Sequence, residues 1–195
     1  MRFVQPNLLS CNIDELTKVL IDLKEYSIKL RKIAKIFHHK ITKGGKIFLC
    51  GNGGSAADAQ HLAAEFLVRL RPKVNRKPIA AVSLAQDTST ITACANDYSF
   101  DQLFSRNLEA LASKKDMLIA ISTSGNSKNI LEVIKLAKKK NLYTFCLLGN
   151  GGGKAAELCN NSIIVPSKIT ARIQESHILL GHTLFEEIED LILAK

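Results

Sequence analysis

With 195 residues, 46% of them hydrophobic, the chain has material for one full core, and nothing in it marks a second domain. The formal charge of +9 is spread over lysines from Lys32 to Lys46, at Lys114 and Lys115, from Lys135 to Lys140 and at Lys154. Without aromatic interleaving or a nucleic-acid-binding motif, this argues against a nucleic-acid partner and suits anionic, phosphorylated ligands. Five cysteines without Cys-x-x-Cys spacing argue against a disulfide framework, and no segment is apolar for long enough to be a signal or membrane helix, so the expected setting is a reducing cytoplasm with no membrane partner.

In chain order, residues 13–42 carry Leu16, Leu20, Leu23, Leu30, Ile33, Phe37 and Ile41 at three- to four-residue intervals, which predicts one long amphipathic helix ended by Gly44-Gly45. Short β-rich runs then follow at 46–50, 79–83, 117–121, 143–148 and 162–165. They alternate with helical segments at 55–70, 88–95, 100–112, 129–140 and 154–159, and a long helix over about 171–193 closes the chain. The alternation predicts an α/β fold with a mainly parallel five-stranded sheet and helices on both faces. Ligands of such sheets bind beyond the carboxyl ends of the strands, which puts the loops after Cys50, Ser83 and Ile121 on one rim.

Gly51-Asn52-Gly53-Gly54-Ser55 follows the first strand and opens a helix, where unpaired backbone N–H groups and the helix dipole favour an anion. Position 56 is alanine and the Walker lysine is missing, so neither a dinucleotide fingerprint nor a nucleoside triphosphate loop is present. The glycines suit a tight turn and close ligand approach equally well. His61 and Glu65, spaced i to i+4 on the next helix, face the same way and suit either a divalent metal or proton transfer. Asn96-Asp97 reads as a turn, with sugar-hydroxyl contact as its functional alternative. Ile121-Ser122-Thr123-Ser124-Gly125-Asn126-Ser127 is the most informative stretch: an apolar run ends in four hydroxyl residues where a helix begins. One hydroxyl suffices for a cap; four beside unpaired N–H groups make a phosphate cradle that needs no cationic side chain.

The last predicted helix carries Arg172, Gln174, Glu175, His177 and His182. Gln174 and His182 lie about 12 Å apart along its axis and within a quarter turn of each other, so they line one groove. To share one ion they must both reach inward, or come from different subunits. His177 lies on another side and is expected to be structural, and His38-His39 are expected in solvent.

Taken together, Cys50-Gly51-Asn52-Gly53-Gly54-Ser55-Ala56-Ala57-Asp58-Ala59-Gln60-His61, Glu65, Ala95-Asn96-Asp97-Tyr98, the segment from Ile121 to Ser127, and Ala171-Arg172-Ile173-Gln174-Glu175-Ser176-His177 with His182 closely resemble the phosphoheptose isomerases of the sugar-isomerase (SIS) domain family. The resemblance spans nearly the whole chain. It implies a single SIS domain over 1–195 with a flavodoxin-like three-layer sandwich, and a homotetramer with active sites between subunits and a helical segment of about 1–43 in the interface. The implied reaction converts D-sedoheptulose 7-phosphate to D-glycero-D-manno-heptose 7-phosphate, the first step towards activated heptose for lipopolysaccharide core or other surface glycans. By position, Ser122, Thr123, Ser124 and Ser127 would hold the phosphate, and Asn52, Gly53, Gly54, Ser55, Asn96, Asp97 and Gln174 would contact the sugar together with Glu65. Glu65 would be the general base and His182 the general acid. His61, Glu65, Gln174 and His182 would bind zinc, one ion per subunit. Ala171 stands where some members have an acidic residue, and Ser99 where glycine is common. The alternative is a non-catalytic SIS-domain tetramer that binds a replication initiator, which has no reason to keep Glu65 and His182 as an acid–base pair. A sugar-phosphate-sensing regulator is a poorer reading, since no DNA-binding domain adjoins the core.

Overall fold

The apolar runs do become one sheet. The structure, a computed structural model, describes residues 7–85 and 87–194. Its strands are β1 (Ile47–Cys50), β2 (Ala81–Ser83), β3 (Met117–Ser122), β4 (Tyr143–Leu148) and β5 (Asn161–Ile164), ordered β2-β1-β3-β4-β5 and parallel throughout. Every residue of β1 and β3 is buried, because a parallel sheet covered on both faces has no solvent side to alternate towards. Pairing of β2 starts at Ala81 opposite Ile47 rather than at residue 79, since the Ile79 N–H is already given to the Phe66 carbonyl.

Ile47, Leu49, Met117, Ile119 and Phe145 point into one apolar layer, under α1 (Leu8–Leu23), α2 (Ser27–Thr42), α3 (Gly54–Leu67) and α8 (Thr170–Leu193). Phe48, Cys50, Leu118, Ala120 and Cys146 point into the other, under α4 (Thr88–Asp97), α5 (Leu103–Leu111), α6 (Lys128–Lys139) and α7 (Gly153–Leu158). The three-layer sandwich is as expected. The single first helix is not. A turn of 3-10 helix at Lys24–Tyr26 separates α1 from α2, and three residues per turn leave the apolar spacing intact, so the break makes no mark on the pattern. The helix also begins earlier than expected, at Leu8, because the Asn7 side chain accepts from the Leu9 and Ser10 N–H groups; residues 1–6 of the predicted N-terminal segment lie outside the described residues. A second 3-10 turn, Phe100–Gln102, precedes α5. His38, expected in solvent, is half-buried in a cavity of about 270 Å³ beside Arg76, Pro78 and Ile192. All five cysteines are free, with Cys50, Cys94 and Cys146 buried. No helix among the described residues is long and apolar enough to cross a membrane.

Strand order reverses between β1 and β3, which pair from Ile47↔Met117 to Cys50↔Ala120. The chain leaves these neighbours in opposite directions, opening a crevice at their carboxyl ends. The long helix α8 runs beside α3 in the same direction: Gln174 lies at Gly54, Gly181 at Leu62 and the Phe185 ring 4.5 Å from Phe66. A Cβ on Gly181 would stand 2.5 Å from the Leu62 side chain, so this glycine permits the close approach of the two helices.

Candidate active site

Ser122 ends β3, and Ser127 is the last residue before α6, with extended backbone (φ −61°, ψ 125°) and no capping bond from its side chain. The Ser122 hydroxyl accepts from the Gly125 N–H (3.0 Å) and the Ser124 hydroxyl from the Asn126 N–H (3.2 Å). Two hydroxyls thus brace the turn while keeping their own O–H to donate. Those of Thr123 and Ser127 have no partner among the described residues. This leaves four O–H donors over a half-open helix start, as an anion site requires.

A third loop supports the cradle. Asn150, Gly151, Gly152 and Gly153 all have positive φ, from 49° to 88°, and the turn they form lies against the serine loop. Beyond it, the Lys154 N–H donates to Asn126 Oδ1 (3.1 Å) and the Ala155 N–H to the Gly125 carbonyl (3.0 Å). Sequence reasoning passed over this loop, although three glycines after a strand were its signal.

The turn after β1 is tied to the same place. Asn52 and Asn129, the second residue of α6, exchange amide hydrogen bonds of 2.9 and 2.8 Å, joining the turns after β1 and β3 across the crevice. Asn129 is buried and was not singled out from sequence. Gly53 is exposed, Ser55 is buried beneath the turn, and a Cβ on Gly54 would meet Gln174 Nε2 at 2.5 Å.

Further along α3, His61 Nε2 stands 2.9 Å from His182 Nε2 and 3.6 Å from Glu65 Oε1. With both rings neutral, one donates its N–H and the other accepts. Burial pulls the His182 imidazole below its ordinary pKa, His61 adds to this, and Glu65 and Glu186 oppose it. The net direction favours the neutral imidazole at His182. Asp58, one turn before His61, was missed: its Oδ2 is buried without a hydrogen-bond partner, and burial raises its carboxyl pKa against the pull of His61. The spacing Asp58, His61, Glu65 on one helix face was the available signal.

None of Gln174, Asn96 and Asp97 is hydrogen-bonded to the His61, Glu65 and His182 group. Gln174, at Gly54, is eight residues from His182 on α8, so within one chain it does not join His61, Glu65 and His182. Asn96 and Asp97 are the last residues of α4 rather than a loop, exposed and bonded to each other at 2.8 Å. His177 is fully buried and structural; burial pushes its imidazole down to about 4, with the Leu148 carbonyl opposing. The imidazoles and carboxylate are zinc-type donors, and their 2.9 and 3.6 Å separations bracket the roughly 3.3 Å between ligand atoms of a tetrahedral zinc. Among the described residues, however, no three His, Cys, Asp or Glu side chains close into a metal cage.

The SIS-domain pattern matches residues 13–149. Phosphoheptose isomerase 1 of Campylobacter jejuni is 50% identical over 162 residues, 83% of this chain and 86% of that one. This chain belongs to the phosphoheptose isomerases of the SIS-domain family. A phosphoheptose isomerase from another C. jejuni strain is 46% identical over 94% of this chain and 98% of its own. Among solved structures, the phosphoheptose isomerase of Neisseria gonorrhoeae superposes with a TM-score of 0.86 at 38% identity, covering 93% of this chain and 97% of that one. The one from Francisella tularensis gives 0.89 at 31% identity, covering 94% and 97%. These likenesses lend no support to initiator binding. Of the two departures from the phosphoheptose isomerase pattern, Ala171 lies exposed in the first turn of α8 and Ser99 precedes the 3-10 turn before α5.

Proposed function

We propose that this isomerase interconverts D-sedoheptulose 7-phosphate and D-glycero-D-manno-heptose 7-phosphate through an enediol, the first step towards activated heptose for lipopolysaccharide core or other surface glycans. The observation that carries the reading is the joining of a hydroxyl cradle, at the β1/β3 crevice, to an imidazole–carboxylate group on the helix leaving that crevice. Ser122, Thr123, Ser124 and Ser127 hold the phosphate. Asn52, Gly53, Gly54, Ser55, Asn96, Asp97 and Gln174 contact the sugar chain. His61 lies about 10 Å along α3 from Gly54, a span that an extended seven-carbon phosphate ester bridges.

Moving the carbonyl from C2 to C1 requires a proton to leave C1, a proton to arrive at C2, and a hydroxyl proton to pass between the two oxygens. Glu65 shuttles the carbon-bound proton, and His182, neutral before reaction, takes the proton from one oxygen and returns it to the other as general acid. Zinc, one ion per subunit, belongs to the same proposal. His61, Glu65 and His182 would have to close further to hold it, with Gln174 supplied by another subunit. When bound, it would polarise the sugar carbonyl as a Lewis acid and would compete with Glu65 and His182 for the lone pairs they use in proton transfer. The exposed Leu8, Leu9, Ile13, Ile21, Ile28 and Ile36 along α1 and α2 support a homotetramer with those helices in its interface. Free thiols and the absence of a spanning helix among the described residues support a cytoplasmic setting.

Isomerisation of sedoheptulose 7-phosphate by the purified protein, with and without added zinc, tests the reading. Glu65→Gln and His182→Ala are each expected to lower kcat by about 10²- to 10⁴-fold. A folded wild-type protein that turns over nothing in either condition, or a Glu65→Gln variant with full activity, would sink it.

A further inference from the structure

Beyond the acid–base group, α3 and α8 meet in a buried ionic cluster to which the reaction assigns no role. The Glu189 carboxylate is fully buried on α8, two turns past His182, and both its oxygens are taken: Oε1 by Arg76 Nε (2.7 Å) and Oε2 by Arg71 Nε (2.8 Å). Arg71 reaches on to the exposed Asp190. The Arg76 side chain is 2% exposed, and its guanidinium lies 4.9 Å from the centre of the Phe185 ring. Its remaining donors go to the last turn of α3: Nη2 to the carbonyl of Glu65 itself (2.7 Å) and Nη1 to that of Phe66 (3.0 Å), with a further bond to the Lys77 carbonyl (3.1 Å).

Carbonyls in the last turn of a helix have no intrahelical partner, and a cation there also complements the dipole. A surface lysine would satisfy that need. Burying an ion pair adds little to stability, because the desolvation cost offsets the attraction. What a planar guanidinium adds is direction: its fork fixes several acceptors at set angles. Here one acceptor is the backbone of Glu65, and another is on the helix that carries His182. We propose that Arg76 and Glu189 are positioning residues, which hold the Glu65 end of α3 in register with α8 so that Glu65, His61 and His182 meet. The inference rests on the roles of Glu65 and His182 given above. Proton transfer is sensitive to such register, since a displacement of about 1 Å can cost roughly 10²-fold in rate.

The test compares Arg76→Lys, which keeps the charge and loses the fork, with the double variant Arg76→Met/Glu189→Leu, which replaces the pair by apolar side chains of similar volume. Both are expected to lower kcat by about tenfold or more with KM nearly unchanged, and the double variant also to lose Tm, because the Glu65 and Lys77 carbonyls and Arg71 lose a partner. A double variant with wild-type kcat, or a loss confined to KM, overturns the proposal. Should the double variant not fold, Arg76→Lys and Glu189→Gln are read by the same split. A crystal structure of Arg76→Lys gives a readout independent of turnover: the 2.9 Å contact between His61 and His182 should open beyond about 3.5 Å, and its persistence overturns the positioning role. An inactive wild-type enzyme whose contact opens in Arg76→Lys would instead remove the isomerase reading and leave the register role standing.

Discussion

Asp116, just before β3, is a buried carboxylate far from the rim. It accepts from the N–H groups of Lys46 and Ser113, each at 2.8 Å, and from the Ser113 hydroxyl at 3.2 Å, with the Lys46 ammonium 3.1 Å away. Burial alone would push its pKa up, but the donated bonds and the ammonium outweigh it and hold the carboxyl below the usual range. Because the folded value lies below the unfolded one of about 3.9, the unfolded chain binds this proton more readily. The stabilisation is complete above about pH 4 and is lost as pH falls through the folded value. Asp116→Asn is therefore expected to cost about 1–3 kcal/mol at neutral pH, and the Tm gap from wild type should close in strong acid. A gap that stays constant down to pH 2 would contradict this account. His61 and Glu65 could be read as a pair from sequence because both lie on one helix. The contact of His61 with His182 spans 121 positions and exists only once α3 and α8 pack. The Asn52–Asn129 clasp was illegible for the same reason, since in sequence Asn129 is merely an early residue of a helix.

At the scale of elements, the strands were legible because a buried parallel sheet writes continuous apolar runs, and the serine loop because four hydroxyls exceed what a cap needs. What holds that loop was not legible. Gly125 has φ +63°, and a Cβ there would stand 1.9 Å from the Gly152 carbonyl oxygen, a backbone atom that cannot rotate away. Gly151 has a similar φ of +79° with nothing within 4 Å of its Cβ position. The pair separates two costs. Gly151→Ala should show only the left-handed backbone penalty of about 1–2 kcal/mol, whereas Gly125→Ala should add displacement of both loops. The expected result is a larger loss of Tm for Gly125→Ala, together with a rise in KM for the phosphorylated sugar of about tenfold, the equivalent of about 1.4 kcal/mol of phosphate grip. Equal Tm losses for the two variants would mean that the loops do not brace each other.

At the scale of the molecule, the first two helices cover the core on one side and leave apolar side chains uncovered on the other. Val19, Leu23, Leu30, Ile33 and Phe37 pack inward, while Leu9, Ile13, Ile21 and Ile28 are between 54% and 70% exposed. An exposed side chain adds little to the stability of an isolated chain, so changing it should shift that stability by no more than about 0.5 kcal/mol. The same side chain buried against another copy would be desolvated, and a carboxylate in its place would cost several kcal/mol per interface. Ile13→Asp/Ile21→Asp therefore distinguishes the two situations. For a homotetramer with these helices in its interface, the double variant should sediment as a smaller species while keeping its helical content. Its isomerase activity should fall with assembly, because a site completed between subunits is lost along with them. Activity recovering at high protein concentration would identify mass action as the cause. A wild-type chain that sediments as a monomer, or a variant that stays tetrameric and active, would remove these helices from the interface and leave the acid–base group complete within one chain.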